Sequence, residues 1–200
     1  MTEYYFTEDP NAEHAERTWD ATILKNIFTF TSDSGVFSKN NVDFGTKTLL
    51  EAISFQTSDH KILDVGCGYG PIGIVIAKLH QDFVVHMTDV NHRSLGLAER
   101  NAKSNHVDQQ TKVFESNVYE QVQDQDYTSI ISNPPVRAGK KIVDQIISEA
   151  KDHLVDGGQL LIVLQKKQGA PSAKKLMNET YGNAEVIKKN KGYYILRSVK

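Results

Sequence analysis

Residues 61–79 read KILDVGCGYGPIGIVIAKL and decide the fold of this chain. The first five residues predict a short apolar strand, and residues 71–79 predict an apolar helix with a proline in its first turn, where proline is tolerated. Gly66, Gly68 and Gly70 lie between them and permit the unusual backbone angles of a tight turn. Glycines between a strand and a helix indicate a ligand-binding loop at the carboxyl end of a strand in an α/β sheet.

Strand-like and helix-like segments alternate from residue 61 to the end of the sequence. The predicted strands are 61–65, 83–88, 112–115, 127–132, 159–164, 184–189 and 193–198, and the predicted helices are 71–79, 93–104, 140–154 and 172–181. This alternation predicts an α/β fold, a Rossmann-like doubly wound sheet of seven mostly parallel strands with an antiparallel final hairpin strand. We expect the helix at 140–154 to end near Asp156-Gly157-Gly158.

The first part of the chain has a different pattern. We expect a short helix near 12–18, a strand across Ile23, Ile27 and Phe30, a turn at Ser34-Gly35 and a second hairpin strand at 36–38. A helix is predicted at 45–53. The predicted organisation is an N-terminal extension at 1–56, packed on a catalytic domain at 57–200.

Composition restricts the class of protein. The chain has 200 residues, of which 39% are hydrophobic and 24% charged, as in an ordinary globular domain. Its single cysteine, Cys67, excludes an internal disulfide and indicates a reducing compartment. The N-terminus lacks a signal-peptide pattern, and no run approaches the roughly 18 apolar residues of a membrane span. We therefore expect a cytoplasmic protein that does not contact a membrane.

Charge is distributed unevenly along the chain, although the net charge is only -2. Residues 1–136 carry 10 Lys and Arg against 19 Asp and Glu, whereas residues 137–200 carry 13 against 6. This asymmetry is consistent with a basic face for a polyanion, and equally with a solvated surface that carries scattered lysines.

The loop DVGCGYG at 64–70 suits a ligand without phosphates. Its third glycine comes too early for a dinucleotide fingerprint, and no Walker lysine follows. S-adenosylmethionine (SAM) carries an ammonium group, for which Asp64 can supply a carboxylate, directly or through water. Asp89, about twenty residues further on, is placed to accept ribose hydroxyls, and Asn117 can bind an adenine amine. A tight turn without a ligand is the alternative.

Asn133-Pro134-Pro135-Val136 follows the fourth predicted strand of the sheet. Two prolines preset the backbone, hold Asn133 extended, and are expected to leave two carbonyls without neighbouring donors. The Asn133 amide oxygen and the Pro134 carbonyl could then accept both protons of an exocyclic amine. Methyl transfer to that amine requires mainly positioning, and no metal. A purely structural loop terminator is the alternative.

Together, DVGCGYG and NPPV resemble class I SAM-dependent methyltransferases that modify amino groups. The resemblance is closer to bacterial small-subunit rRNA guanine-N2 methyltransferases of the C type, through GVFS at 35–38, VDFGTKTLL at 42–50 and NPPVRAGK at 133–140. It extends from about Tyr5 to Arg197. It implies methyl transfer from SAM to the N2 amine of a guanine in 16S rRNA, in the 30S subunit, with S-adenosylhomocysteine as the second product.

The resemblance also implies roles for individual residues. It assigns the amino-acid end of SAM to Asp64, Gly66 and Gly68 with Gly70 in the same loop, the ribose to Asp89, the adenine to Asn117, the target amine to Asn133 and Pro134, and the flipped nucleotide to Phe37, Pro135, Val136, Arg137 and Lys140. Many relatives have an aromatic residue at the position of Val136, so we expect base stacking from Phe37 or Tyr69. We expect a monomer without a metal.

Four alternatives remain open at this point. The same chemistry could act on adenine N6 in DNA, but such an enzyme would require a DNA-recognition domain. It could also act on a protein glutamine, but glutamine methyltransferases usually have an aromatic residue at the position of Val136. The protein could be a small-molecule methyltransferase, and the basic C-terminal third is the feature against this alternative. It could also be a binding scaffold without turnover, and the presence of Asp64, Asp89 and Asn133 is the feature against that alternative.

Overall fold

The structure, a computed structural model, describes residues 13–36, 38, 41–56 and 58–200. These residues form two β-sheets with helices packed against them. The smaller sheet is a hairpin of β1 (Arg17–Ile23) and β2 (Asn26–Ser32). The larger sheet contains β3 (Lys61–Val65), β4 (Val84–Asp89), β5 (Thr111–Glu115), β6 (Tyr127–Ser132), β7 (Leu154–Gln165), β8 (Glu185–Asn190) and β9 (Tyr193–Val199). The helices are α1 (Phe44–Leu50), α2 (Pro71–Leu79), α3 (His92–Ser104), α4 (Lys140–His153) and α5 (Ala170–Tyr181).

The strand order in the larger sheet is β5-β4-β3-β6-β7-β9-β8. The pairs from β5 to β7 are parallel, and β9 pairs antiparallel with both β7 and β8. This confirms the predicted seven-stranded, mostly parallel sheet. The order reverses between β3 and β6, and in open α/β sheets ligands bind outside the carboxyl ends of the strands at such a point.

The sheet is covered on both faces, so its central strands are almost completely buried. All six residues of β6 are buried, as expected for a central parallel strand. One apolar cluster includes Phe28 and Leu49 and lies on the side of the hairpin, α1, α2 and α3. The other includes Ile147 and Met177, from α4 and α5. Two packed layers hold the carboxyl ends of the strands in fixed positions.

The hairpin differs from its prediction. Arg17 already belongs to β1, so the helix expected near 12–18 is wrong, and its first residue lies outside the described part of the chain. The hairpin turn is Leu24-Lys25, with φ of 47° and 66°, and Ser34-Gly35 follows the second strand instead of preceding it. Tight hairpin turns usually carry glycine or asparagine at such angles, so the sequence offered no turn signal here.

The hairpin packs on α3 through two asparagines. Asn101 Nδ2 donates to the Thr31 carbonyl (2.8 Å) and Asn101 Oδ1 accepts from the Thr31 N–H (2.7 Å). Asn105 makes the same pair of contacts with the backbone of Thr29 (2.7 and 3.2 Å). These amides satisfy the backbone groups of an exposed strand edge, so the extension is held against the core.

The remaining differences concern element ends. The helix predicted at 45–53 runs from Phe44 to Leu50. Helix α4 ends at His153, and β7 begins at Leu154, so the expected break near Asp156-Gly157-Gly158 lies inside a strand. None of the helices within the described ranges has the length and apolar character required to cross a membrane.

Candidate active site

A cavity of about 1440 Å³ opens at the carboxyl ends of β3, β4, β6 and β7. Its walls include the glycine loop, Asp89, Asn117, the segment 133–138, Asp43, Thr46, Gln165 and Tyr193. Pockets for one small ligand typically measure roughly 300–1,000 Å³. The cavity therefore has room for a nucleoside-sized cofactor and a second ligand beside it.

The glycine loop is tied to the end of β4. The backbone N–H groups of Gly66 and Cys67 donate to the Thr88 carbonyl (2.8 and 2.9 Å), and that of Gly68 donates to Asp89 Oδ2 (2.8 Å). Gly68 has a φ of +57°, and a Cβ placed on it would meet nothing within 4 Å. The backbone conformation, together with an open approach for a ligand, is what requires glycine there.

Asp64 lies beneath this loop and does not line the cavity. Its Oδ2 accepts the N–H of Gly73 at 3.0 Å, whereas its Oδ1 has no hydrogen-bond partner among the described residues although Asp64 is completely buried. Burial raises the pKa of the Asp64 carboxyl from its ordinary 3.8 to about 7. A buried carboxylate oxygen without a donor favours a cation or an ordered water nearby.

Asp89 and Asn117, which were predicted to bind the ribose and the adenine of SAM, both line the cavity. Asp89 Oδ1 accepts the N–H of Asn91 at 3.0 Å, and burial raises the pKa of the Asp89 carboxyl. Each carboxylate oxygen accepts more than one hydrogen bond, so Asp89 can still receive hydroxyl groups. The Asn117 Nδ2 donates to Glu120 Oε1 at 2.9 Å, which leaves the Asn117 amide oxygen as an acceptor at the rim.

The loop after β6 faces the glycine loop across the cavity. Asn133, Pro134, Pro135 and Val136 all line it. A Cβ placed on Gly66 would lie 3.8 Å from Pro135 Cδ, which is van der Waals contact. The structure therefore brings the two sequence motifs together at one site.

The proline carbonyls are not free of donors, so this expectation was wrong. The Val136 N–H donates to the Pro134 carbonyl at 2.8 Å, and the Ala138 N–H donates to the Pro135 carbonyl at 2.7 Å. The cause is an immediate reversal of the chain after Pro135 into a 3-10 turn, Val136–Ala138. A carbonyl has two lone pairs, so the Pro134 oxygen keeps one acceptor position.

Asn133 is held by two residues that the sequence analysis did not assign a role. Its Nδ2 donates to Asp43 Oδ2 at 3.1 Å and to Thr46 Oγ1 at 3.0 Å. No hydrogen bond from the described part of the chain reaches Asn133 Oδ1, which is left as an acceptor at the cavity. Asp43 and Thr46 lie inside the VDFGTKTLL segment, whose resemblance to the methyltransferase family was the signal that could have identified them.

The aromatic wall of the cavity comes from Tyr193, which the sequence analysis missed. Its hydroxyl accepts from Gln165 Nε2 at 2.7 Å, and both residues line the cavity. The ring of Tyr69 is buried edge-on against Trp19 and Phe30, so it offers no stacking surface. Phe37 lies outside the described residues. No local motif marks Tyr193, because it opens an ordinary closing strand.

The basic side chains near this end of the sheet, among them the predicted Arg137 and Lys140, differ in position. Arg137 lines the cavity mouth and is exposed. Lys140 does not line the cavity and forms an ion pair with Asp144 on the next turn of α4. Lys166 and Lys167 are exposed in the turn directly after β7, at the same end of the sheet. Among the described residues there is no group of three His, Cys, Asp or Glu placed to hold a metal ion.

Comparisons with known proteins identify the family of this chain. The family model described as "Methyltransferase small domain" matches residues 27–197. The chain is 44% identical to "Uncharacterized protein YbxB" of Bacillus subtilis over the whole length of both. It is 30% identical to "Ribosomal RNA small subunit methyltransferase C" of Photorhabdus laumondii, covering 91% of this chain and 53% of that protein. The chain thus spans about half the length of the methyltransferase C relatives.

A solved structure has the same architecture. The T. thermophilus 16S rRNA N2 G1207 methyltransferase (RsmC), in complex with AdoMet and guanosine, matches with a TM-score of 0.82 over 92% of this chain and 50% of that chain. The two are 24% identical, so this likeness concerns the fold. Because the family model matches most of the sequence and the sheet has the same architecture, the chain belongs to the methyltransferase small domain family, with the class I fold of SAM-dependent methyltransferases.

Proposed function

We propose that this protein transfers a methyl group from SAM to the exocyclic N2 amine of a guanine in 16S rRNA, within the 30S subunit. The observation that carries the proposal is the close approach of two loops, since a Cβ placed on Gly66 would lie 3.8 Å from Pro135 Cδ and both loops line one cavity. Methyl donor and amine acceptor would meet at that point. The names of the methyltransferase C relatives support the choice of rRNA.

The residues present fit SAM. Asp64 Oδ1, buried and without a donor among the described residues, suits the ammonium group, directly or through water. The Asp89 carboxylate suits the ribose hydroxyls, and the amide oxygen of Asn117 suits the adenine amine. Gly66 and Gly68 would let the loop backbone approach the ligand, whereas Gly70 does not line the cavity and a Cβ there would lie 2.8 Å from Ile74 Cδ1. When bound, SAM supplies a methyl group activated by its positively charged sulfur.

The loop after β6 would hold the amine. An aryl amine is a poor nucleophile because its lone pair is delocalised into the ring. Asn133 Oδ1 and the second lone pair of the Pro134 carbonyl would accept its two protons and aim the nitrogen lone pair at the methyl group. Catalysis then depends chiefly on positioning. The amine gains a methyl group and releases one proton to solvent, so no strong base is needed.

The base and its strand would be held around that loop. Pro135 and Val136 supply apolar contact, and the Tyr193 ring supplies an aromatic surface in the same cavity. Arg137 is placed to bind a phosphate at the mouth, with Lys166 from the neighbouring turn. Lys140 would also contribute to phosphate binding, although its ammonium group is paired with Asp144. Phe37 remains a proposed contact of the flipped base. We also propose that the protein is a cytoplasmic monomer.

Transfer of labelled methyl from SAM to purified 30S subunits lacking the modification tests the proposal. Free 16S rRNA, DNA and ribosomal proteins are the alternative acceptors, and nucleoside analysis identifies the product. Asn133→Ala should abolish transfer while SAM binding, measured by calorimetry, is retained. Asn178→Ala, on the exposed surface of α5, is the matched control and should transfer at the wild-type rate.

Label in N2-methylguanosine that is lost in Asn133→Ala supports the proposal. Label in N6-methyladenosine or in a protein would retain the amine chemistry and refute the substrate. Absence of label in every macromolecule, with SAM bound, would refute a macromolecular acceptor and favour a small-molecule amine.

A further inference from the structure

The segment VDFGTKTLL at 42–50 forms part of the cavity wall and has no role in the function described so far. Asp43 caps α1, because its Oδ2 accepts the backbone N–H of Thr46 at 3.1 Å. The same oxygen accepts from Asn133 Nδ2. We propose that Asp43 and Thr46 are positioning residues that set the orientation of the Asn133 amide. This inference rests on the proposed function, since it concerns how the same site receives an amine.

Hydrogen bonds alone distinguish the two orientations of an asparagine amide, whose oxygen and nitrogen have nearly the same shape. A carboxylate only accepts hydrogen bonds, so Asp43 must face the NH2 group of Asn133. That group has two protons, and the contacts to Asp43 and Thr46, at 3.1 and 3.0 Å, use both. In the reversed orientation the Asn133 oxygen would face the Asp43 carboxylate and that hydrogen bond would be lost, although the Thr46 hydroxyl could still donate to the oxygen. The observed orientation is therefore strongly preferred.

The orientation determines what the site can receive. With its nitrogen turned toward α1, Asn133 presents only an acceptor, Oδ1, to the cavity. A substrate atom that donates N–H is stabilised there, whereas a carbonyl or an unprotonated ring nitrogen would face another acceptor. Helix α1 thereby selects an NH2 group as the reacting group, although neither Asp43 nor Thr46 belongs to the motif that carries the chemistry.

Close packing holds the Asp43 carboxylate from its other side. A Cβ placed on Gly45 would lie 2.8 Å from Asp43 Oδ2 and 2.7 Å from Tyr193 Cε1, closer than a side chain allows. The aromatic wall of the cavity therefore packs directly on the glycine between the two positioning residues. Any side chain at position 45 would displace the carboxylate or the ring.

Substitutions that preserve the fold separate positioning from a structural role. Thr46→Val removes the acceptor and keeps the shape, and Asp43→Ser keeps a helix cap with a side chain too short for Asn133. We expect kcat for methyl transfer to fall about 10-fold and about 100-fold respectively, with the Kd of SAM within about two-fold of wild type. Thr46→Ser should recover most of the loss.

A control and a reciprocal exchange complete the kinetic test. Thr48→Val alters a buried threonine of the same helix that donates to the Phe44 carbonyl, and it should leave kcat unchanged. Asn133→Asp would place a second carboxylate against that of Asp43 and should lower kcat more than 100-fold. The double variant Asp43→Asn/Asn133→Asp restores one donor and one acceptor, and it should recover at least 10-fold.

The amide itself provides a readout that does not depend on activity. In 1H–15N spectra, the Asn133 NH2 signals, identified by their absence in Asn133→Asp, should exchange slowly in wild type and rapidly in Thr46→Val and Asp43→Ser. Unchanged amide exchange, or equal kcat in all variants, would overturn the inference. Altered exchange without methylation of any acceptor would support the orientation and refute the proposed function instead.

Discussion

Replacing Asp64 by asparagine should stabilise the ligand-free protein at high pH while it weakens SAM binding. Asp64 is completely buried, and its Oδ1 has no partner within the described part of the chain. Burial raises the pKa of its carboxyl from 3.8 to about 7. The folded state therefore holds the proton more tightly than the unfolded state does. The free energy of unfolding must then be highest below about pH 4 and fall as the pH rises to about 7.

The size of this effect follows from the pKa shift. A rise of about three units corresponds to roughly 4 kcal/mol of lost stability once the carboxyl is ionised, of which roughly 3 kcal/mol is lost between pH 5 and pH 8. Asparagine does not titrate and can still accept the Gly73 N–H, but its buried NH2 group costs about 1–3 kcal/mol. We expect Asp64→Asn to be about 1–3 kcal/mol more stable than wild type at pH 8, with no advantage at pH 5.

Urea unfolding between pH 5 and pH 8, followed by fluorescence of Trp19, measures this difference. Asp156→Asn, an exposed acid in β7, is the matched control and should follow wild type at every pH. Calorimetry at pH 8 measures SAM affinity, which should fall at least 100-fold in Asp64→Asn. Parallel pH dependences for wild type and Asp64→Asn would refute the burial argument. Unchanged affinity would refute the role of Asp64 toward the ammonium group.

Four further results are expected. Gly45→Ala should lower kcat at least 10-fold with SAM affinity retained, because its Cβ would lie 2.7 Å from the Tyr193 ring; an unchanged kcat would contradict the packing argument. Tyr193→Leu should raise the KM for RNA about 10-fold and Tyr193→Phe should not, since base stacking needs the ring; equal effects would assign the contact to the hydroxyl. Arg137→Gln and Lys166→Gln should each lower the slope of log K against log salt by about one in RNA titrations, and an unaltered slope would exclude phosphate contacts. Burial raises the pKa of the Cys67 thiol well above 9, so a thiol reagent should react at least 100-fold more slowly with the native protein than in urea; equal rates would show an accessible thiolate.

Elements bounded by strong local signals were predicted well. The bounds of β3, α2 and β6 agree with the predictions to the residue, because glycine or proline marks one end of each: Gly66 follows β3, Pro71 opens α2, and Asn133-Pro134 follows β6. The hairpin was misplaced because Leu24-Lys25 carries a left-handed turn without glycine or asparagine. There the antiparallel pairing and the packing on α3 determine the turn, and neither is visible in a local window.

The two chemical motifs lie on loops whose backbone conformations require particular residues, and this is why the sequence by itself determined them. Gly66 and Gly68 adopt left-handed angles, and the two prolines after Asn133 restrict the backbone wherever the loop lies. Only the tertiary structure decided which way the Asn133 amide points. Its partners lie 87 and 90 residues earlier in the chain. Hydrogen bonds over that separation exist only after the sheet has assembled and α1 has packed beside the loop, so no local pattern could encode them.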